Sequence, residues 1–392
     1  MRALLVSALL VVAVAPAYAG SCDCNQDLDD TLAALRRAPS YKQQIKGEAK
    51  VTFDQAIARL RQEMNDDPWI AVHCRTYLQR AMYEVADAHL GIGGLPEEQV
   101  DPSVGENYPR YDGDLQALQA QPGEIYSAAE GAEQIAVIEG EGEWRGVVLQ
   151  SEEAPWQRGD IKFRMWESDH GAEMIYYARY REGYYLRATT AQPLFEWLRY
   201  RKADAPKQPF RAPGGPDDSS HRMLSSDVGY LYLASFKGST ENIRSQKALY
   251  DSIGPQLATM RHLIIDVRGN TGGGEVTYNN FLKWLDRIES VPQLHLLTNR
   301  RTASAAEHFT LLMQDRGATL YGESTRGAIN YRYANRGGKP SPRTCSGYRP
   351  VVTVAPNPKR FRDLSRERVG VQPDVTLDPQ RDWIEQVVES LP

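Results

Sequence analysis

The stretch "HLIIDVRGNTGGGEVTYNNFLKWLDRI", residues 262 to 288, decides the fold. Its first six residues are a short apolar run with three β-branched side chains, which reads as a buried strand. A glycine-rich turn follows, and then a helical segment begins at Glu275. Working outward, "VGYLYLASF" (228–236) is a strand and "TENIRSQKALYDSIGPQL" (240–257) a helix. Downstream, "QLHLLT" (293–298) is a strand, "ASAAEHFTLLMQD" (303–315) a helix and "ATLYG" (318–322) a strand. Repeated β-α-β order predicts a parallel sheet with crossover helices. In such sheets chemistry collects at the loops beyond the carboxyl ends of the strands. Two of those loops stand out, "RGNTGGGE" (268–275) and "NRRTASAAE" (299–307).

The chain before this core changes character twice. Residues 20–105 carry apolar positions at helical spacing, among them Leu28, Leu32, Leu35, Phe53, Ile57 and Leu60, so this is a helical region. Residues 106–202 hold short alternating stretches such as "EQIAVIEG" and "DIKFRMW", which predict a β-rich middle unit. "EEAPWQRGDIKFRM" faintly echoes a peptide-binding PDZ domain, but the glycine-rich carboxylate-binding loop is missing, and a different β-barrel or sandwich is the better reading. Residues 203–221, rich in Pro, Gly, Asp and Ser, read as a linker, and the core occupies 222–392.

Arg2, the apolar run "ALLVSALLVVAVA" and the small residues Ala17 and Ala19 have the form of a cleavable signal peptide spanning residues 1–19, cut after Ala19. No later stretch approaches the length of a membrane span, so the expectation is a periplasmic or secreted protein that does not cross a membrane. Removing the signal takes away one Arg and no acid, leaving 45 basic against 51 acidic residues, a formal charge of −6. That balance excludes the electrostatics of a nucleic-acid binder. Cys22, Cys24, Cys74 and Cys345 are expected to form disulfides in an oxidising compartment, and their pairing is open. A zinc site from Cys22, Cys24, His73 and Cys74 is disfavoured, because neither CxC nor HC has the usual ligand spacing.

Ser304 stands at the start of a helix, where free backbone N–H groups and the helix dipole favour a developing anion. Acyl transfer needs such a nucleophile, a base for its proton and donors for the oxyanion. Ala305 N–H is one donor, and Gly272 and Gly273, with no Cβ to obstruct approach, are the others. A serine before an apolar helix is also an ordinary N-cap, and a Gly-Gly-Gly run an ordinary turn. Their joint placement on adjacent strand ends is what favours chemistry.

"HLIIDVRGNTGGG", "NRRTASAAEHF", "LYGESTRGA" and "VGVQPDV" together resemble four landmark motifs of the tail-specific, or carboxyl-terminal-processing, serine peptidase superfamily, over roughly residues 222–392. The resemblance implies an α/β fold with a crotonase-like βαβ core, Ser304 as nucleophile, and Gly272 or Gly273 with Ala305 as oxyanion donors. The branch with a Ser/Lys dyad has lysine where this chain has Ala328, and Lys339 lies too far along. The tricorn-core branch, with a histidine base before the β-rich unit, is the better match. It puts His89 of "MYEVADAHLGI" in that role and Glu367 as the supporting carboxylate. Where that branch has a serine, this chain has Ala88, and Asp87 is the local substitute for Glu367 as the carboxylate.

Among the other histidines, His308 and His221 are rival bases, while Asp266, Arg268, Glu307 and Glu323 read as loop anchors. The expectation is therefore a serine endopeptidase acting on protein or peptide, with no metal and no organic cofactor. The rival, supported by a resemblance to the interphotoreceptor retinoid-binding proteins, is a noncatalytic module on the same fold that binds a peptide or apolar ligand.

Overall fold

The computed structural model describes residues 22–392 apart from 96–108, 120–124, 129–131, 141, 154, 179–180, 189–199, 203–217, 258–259, 289, 334–340 and 379–380. The signal segment, most of the linker and Lys339 lie outside the described residues.

The protein is a mixed α/β structure with a helical N-terminal region and a β-rich middle. Helices α1 (Cys24–Leu35), α2 (Pro39–Gln44), α3 (Glu48–Asp66) and α4 (Ile70–Tyr83) come first. Leu28, Leu32, Leu35, Phe53, Ile57 and Leu60 form one buried cluster with Leu78 and Met82, the packing that their spacing predicts. A short strand β1 (Gly91–Gly93) follows, and then α5 (Leu115–Gln119).

Strands β2 (Ile125–Ala128), β3 (Glu133–Gly140), β4 (Glu143–Ser151), β5 (Ile161–Ser168), β6 (Gly171–Tyr177), β7 (Gly183–Ala188) and β8 (Tyr200–Lys202) make one sheet in the order β7-β6-β5-β4-β3-β2-β8. Every ladder in it is antiparallel. Among the described residues no ladder joins β7 to β8, so the middle unit is an open sheet where a barrel or sandwich was expected. Val72 of α4 packs in the core of this sheet beside Ile175 and Tyr177, so the sheet braces the helix that leads towards His89.

The core alternates β9 (Ser220–Met223), β10 (Val228–Tyr232), α6 (Thr240–Leu257), β11 (His262–Asp266), α7 (Glu275–Leu285), β12 (Gln293–Thr298), α8 (Ala305–Gln314) and β13 (Thr319–Gly322). After β14 (Tyr331–Arg332), β15 (Arg349–Val351), β16 (Ala355–Pro356) and β17 (Val375–Thr376) the chain ends in α9 (Trp383–Glu389). The sheet order is β17-β13-β12-β11-β10-β9, parallel from β10 through β17 and antiparallel only at β9. Ser220 and His221, read as the end of the linker, belong to β9, because they pair with Tyr232 and Leu231. β1 pairs with β15, which joins the helical region to the core by main-chain hydrogen bonds.

All four cysteines are paired, Cys22 with Cys345 and Cys24 with Cys74. This leaves no thiolate for zinc, and His73 is occupied by Asp67 at 2.7 Å and by the Tyr177 hydroxyl at 2.8 Å. The 323-residue separation of the first pair means that it clips the start of the helical region onto the core. No helix of the described residues is long and apolar enough to cross a membrane.

His262 and His295 meet inside the core, with His262 Nδ1 3.2 Å from His295 Nε2 and both side chains buried. Burial, and secondarily His262, push His295 down to about 4. A folded value below the ordinary 6.5 means that this pair's stability is complete above about pH 6.5 and is lost as pH falls through about 4. Replacing His295 by Gln should therefore flatten the pH dependence of the urea midpoint across that window; unchanged slopes in wild type and variant would assign acid sensitivity elsewhere.

Candidate active site

The site grows from the exits of two neighbouring parallel strands. β11 leads into the glycine loop and β12 into the turn that ends at Ser304, the N-cap of α8. Ser304 adopts φ 58°, ψ −119°, a conformation that costs a non-glycine residue about 1–3 kcal/mol and that surrounding contacts must hold. Glu307 supplies that hold. Its buried carboxylate accepts the Ser304 N–H at 2.8 Å, completing a capping box, and also the Thr325 hydroxyl at 2.6 Å and the Gly327 and Ala328 N–H groups at 2.6 and 2.8 Å. Burial pushes Glu307 up to about 7 while these donors pull the other way. The loop-anchor reading of Glu307 thus has four bonds behind it. Glu323 is tied through its main chain, which bonds Thr298.

The glycine loop is held by residues that sequence reasoning passed over. Asn270 donates to the Leu233 carbonyl, its own carbonyl accepts Ala303 N–H at 3.0 Å, and its Oδ1 accepts Gly272 N–H at 2.9 Å. That last bond corrects one expectation. The Gly272 amide is already engaged, so Gly273 and Ala305 are the candidate anion donors. Gly272 serves by its lack of a side chain, since a Cβ there would sit 2.6 Å from Ala303 O and 2.8 Å from Ala305 N. Asp266 and Arg268 form a buried pair at 2.7 Å that the Tyr230 hydroxyl joins, at the base of the loop.

His89 lies six residues beyond α4, in the turn that follows it. Its Nε2 stands 3.1 Å from Ser304 Oγ, across 215 residues of sequence. The turn is clamped from both sides of the molecule. Gln44 bonds both the carbonyl and the N–H of Ala86, each at 2.9 Å. Arg368 donates to the Tyr83 and Val85 carbonyls at 3.2 and 2.8 Å and stacks on the Tyr83 ring. Tyr333 packs edge-on against the imidazole, and its hydroxyl donates to the His89 carbonyl. Burial, then the charges of Arg326 and His308, lower His89 to about 3 and keep it neutral.

Glu367 reaches His89 only indirectly. Its Oε1 accepts Ala88 N–H at 2.7 Å, and its Oε2 accepts the N–H and side-chain amide of Asn330 at 2.9 and 2.7 Å. Asp87 is the nearer carboxylate, with Oδ1 3.9 Å from His89 Nδ1, which itself makes no hydrogen bond. Asp87 Oδ1 accepts the His89 N–H at 3.0 Å, and Oδ2 accepts the Thr353 hydroxyl at 2.7 Å. Burial pushes both carboxyls up.

The rival histidines are placed elsewhere. His308 Nε2 meets the Ile329 carbonyl at 3.1 Å and the ring stacks on Phe361 at 4.1 Å. His221 is on edge strand β9, three strands from β12. Asn330 and Arg368 carried no sequence signal beyond their place beside the quoted motifs, because each acts through a partner remote in sequence, whereas Asn270 lies inside one of those motifs and bonds Gly272 two residues on.

No family model matches the sequence. Among solved structures the chain is similar to a peptidase candidate from Parabacteroides merdae at 18% identity and TM-score 0.35, over 50% of this chain and 68% of that one. It is similar to the photosystem II D1 C-terminal processing protease at 16% identity and TM-score 0.33, over 86% and 94% of the two chains. Tricorn protease aligns at 13% identity and TM-score 0.39 over 94% of this chain, which spans 36% of tricorn's length. The chemical reading rests on the side-chain geometry.

Replacing Glu307 by Gln puts an amide NH2 among four donors and removes a charge-assisted acceptor. It should cost about 2–4 kcal/mol in chemical denaturation and lower the reactivity of Ser304 further than that of exposed serines.

Proposed function

We propose that this chain is an exported serine peptidase that cleaves peptide bonds through an acyl-enzyme on Ser304. The observation that carries the reading is the 3.1 Å approach of His89 Nε2 to the hydroxyl of a serine held at positive φ. For Nε2 to accept the Ser304 proton, Nδ1 carries the imidazole hydrogen, directed towards Asp87 and Glu367. As Ser304 Oγ attacks the carbonyl carbon, the proton passes to Nε2 and the carbonyl oxygen becomes an anion. The N–H groups of Gly273 and Ala305 take that anion, near the positive end of α8. The imidazolium then gives its proton to the leaving amine, and water, deprotonated by His89, releases the acyl group.

Asp87 and Glu367 are positioning residues. Both are buried beside His89, Asp87 beside the imidazole and Glu367 on the Ala88 amide. Two disulfides suit a periplasmic or extracellular address, and the substrate class is protein or peptide.

A second reading, a noncatalytic module binding a peptide or apolar ligand, is favoured by one observation. His89 Nδ1 lacks the close carboxylate that fixes the tautomer in an efficient triad.

A fluorophosphonate probe, followed by intact mass and peptide mapping, separates the two. The expected result is one adduct per chain, on Ser304, absent from Ser304→Ala and slowed at least a hundredfold in His89→Ala. No adduct on the folded wild-type protein would sink the peptidase reading and leave the binding module. Where peptide hydrolysis is measurable, Ser304→Ala should lower kcat/KM by roughly 10³–10⁶-fold.

A further inference from the structure

Behind the His89 ring, away from Ser304, three potential ligands converge. One ligand atom from each of Asp87, His89 and Glu367 lies within 4.8 Å of the other two, and all three residues are buried. The imidazole is 7% exposed, and its Nδ1, with no hydrogen-bond partner, is aimed at this cluster, 3.9 Å from Asp87 Oδ1. Side-chain inventories leave room for a further bond. Asp87 Oδ1 accepts one N–H, from His89, and Glu367 Oε1 accepts one, from Ala88, so each oxygen keeps a second lone pair. Ala88, with only a methyl group, places no polar side chain into the space.

Two carboxylates and one imidazole, with a fourth position open, are a donor set that suits zinc over calcium or magnesium, which prefer oxygen alone. Bonds of about 2.0–2.2 Å in a tetrahedral site put ligand atoms roughly 3.3–3.6 Å apart, so side-chain movement of roughly 1 Å closes the cluster on an ion. A divalent cation there also compensates two carboxyl groups buried side by side.

We propose that Asp87, His89 and Glu367 bind one zinc ion and that the bound ion switches Ser304 off. The switch follows from the tautomer and rests on the peptidase reading above. Zinc takes the Nδ1 lone pair, so the single hydrogen of the neutral imidazole resides on Nε2. Nε2–H then donates to Ser304 Oγ and has no lone pair left to accept the hydroxyl proton. Chelation returns the hydrogen to Nδ1 and restores the base.

The test uses the full mature chain without an affinity tag. Zinc is titrated against a chromophoric chelator in Ser304→Ala, which retains all three ligands, and one ion per chain is expected. His89→Gln, Asp87→Asn and Glu367→Gln, each checked for folding by circular dichroism, should weaken binding at least tenfold. In the wild type, saturating zinc should slow fluorophosphonate labelling at least tenfold, and a chelator should reverse it. No bound ion in folded Ser304→Ala, or undiminished binding in both His89→Gln and Glu367→Gln, overturns the site. Binding with an unchanged labelling rate overturns the switch. Zinc binding by a protein that never labels, even without zinc, overturns the peptidase reading and leaves the metal site standing.

Discussion

The meeting of His89 and Ser304 depends on how one turn of the helical region is seated on the core. The N–H groups of Glu84, Val85, Asp87, His89 and Leu90 bond within the turn or to the end of α4, while those of Ala86 and Ala88 and the Val85 and Ala86 carbonyls are met by side chains from elsewhere: Gln44 from α2, and Glu367 and Arg368 from the C-terminal part of the chain. Buried amides and carbonyls left unpaired cost free energy comparable to a lost hydrogen bond each. The remote side chains therefore fix the position of the turn by satisfying the groups that its own residues leave open. The β1–β15 ladder and the Cys22–Cys345 link hold the same two bodies together a short distance away. The middle sheet braces α4 from a third direction.

Around Ser304 the logic is the reverse. Ser304, Glu307 and the glycine loop belong to one βαβ unit, and their geometry is built locally. Positive φ at Ser304, the Glu307 bond to its N–H and the Asn270–Gly272 bond lie within 40 residues of one another. Glu367 and Asp87 hold the Ala88 and His89 amides, and neither makes a short bond to the ring.

Much of this was legible in the chain. The predicted strands at 262–267 and 293–298 and the helix at 240–257 coincide with the observed elements to within a residue, because an apolar period is a property of neighbours. Ser304 was legible from its place on a strand exit. His89 was legible only by resemblance, since a lone histidine after a helix has a bland explanation too. The middle unit's strands were readable, while its open sheet was not, because alternation specifies a buried face and says nothing of closure.

The sequence by itself determined the elements, the α/β order of the core, the small residues around the nucleophile and the candidates on both sides of the reaction. Only the tertiary structure decided that residues 89 and 304 meet, that Cys22 takes Cys345 and Cys24 takes Cys74, that the Gly272 amide is spent on Asn270, and that Glu367 holds a backbone amide. The reason is physical. Periodicity and turn chemistry act between residues a few positions apart. Which lone pair meets which donor is settled by packing across hundreds of residues, where the chain carries no local signal of distance.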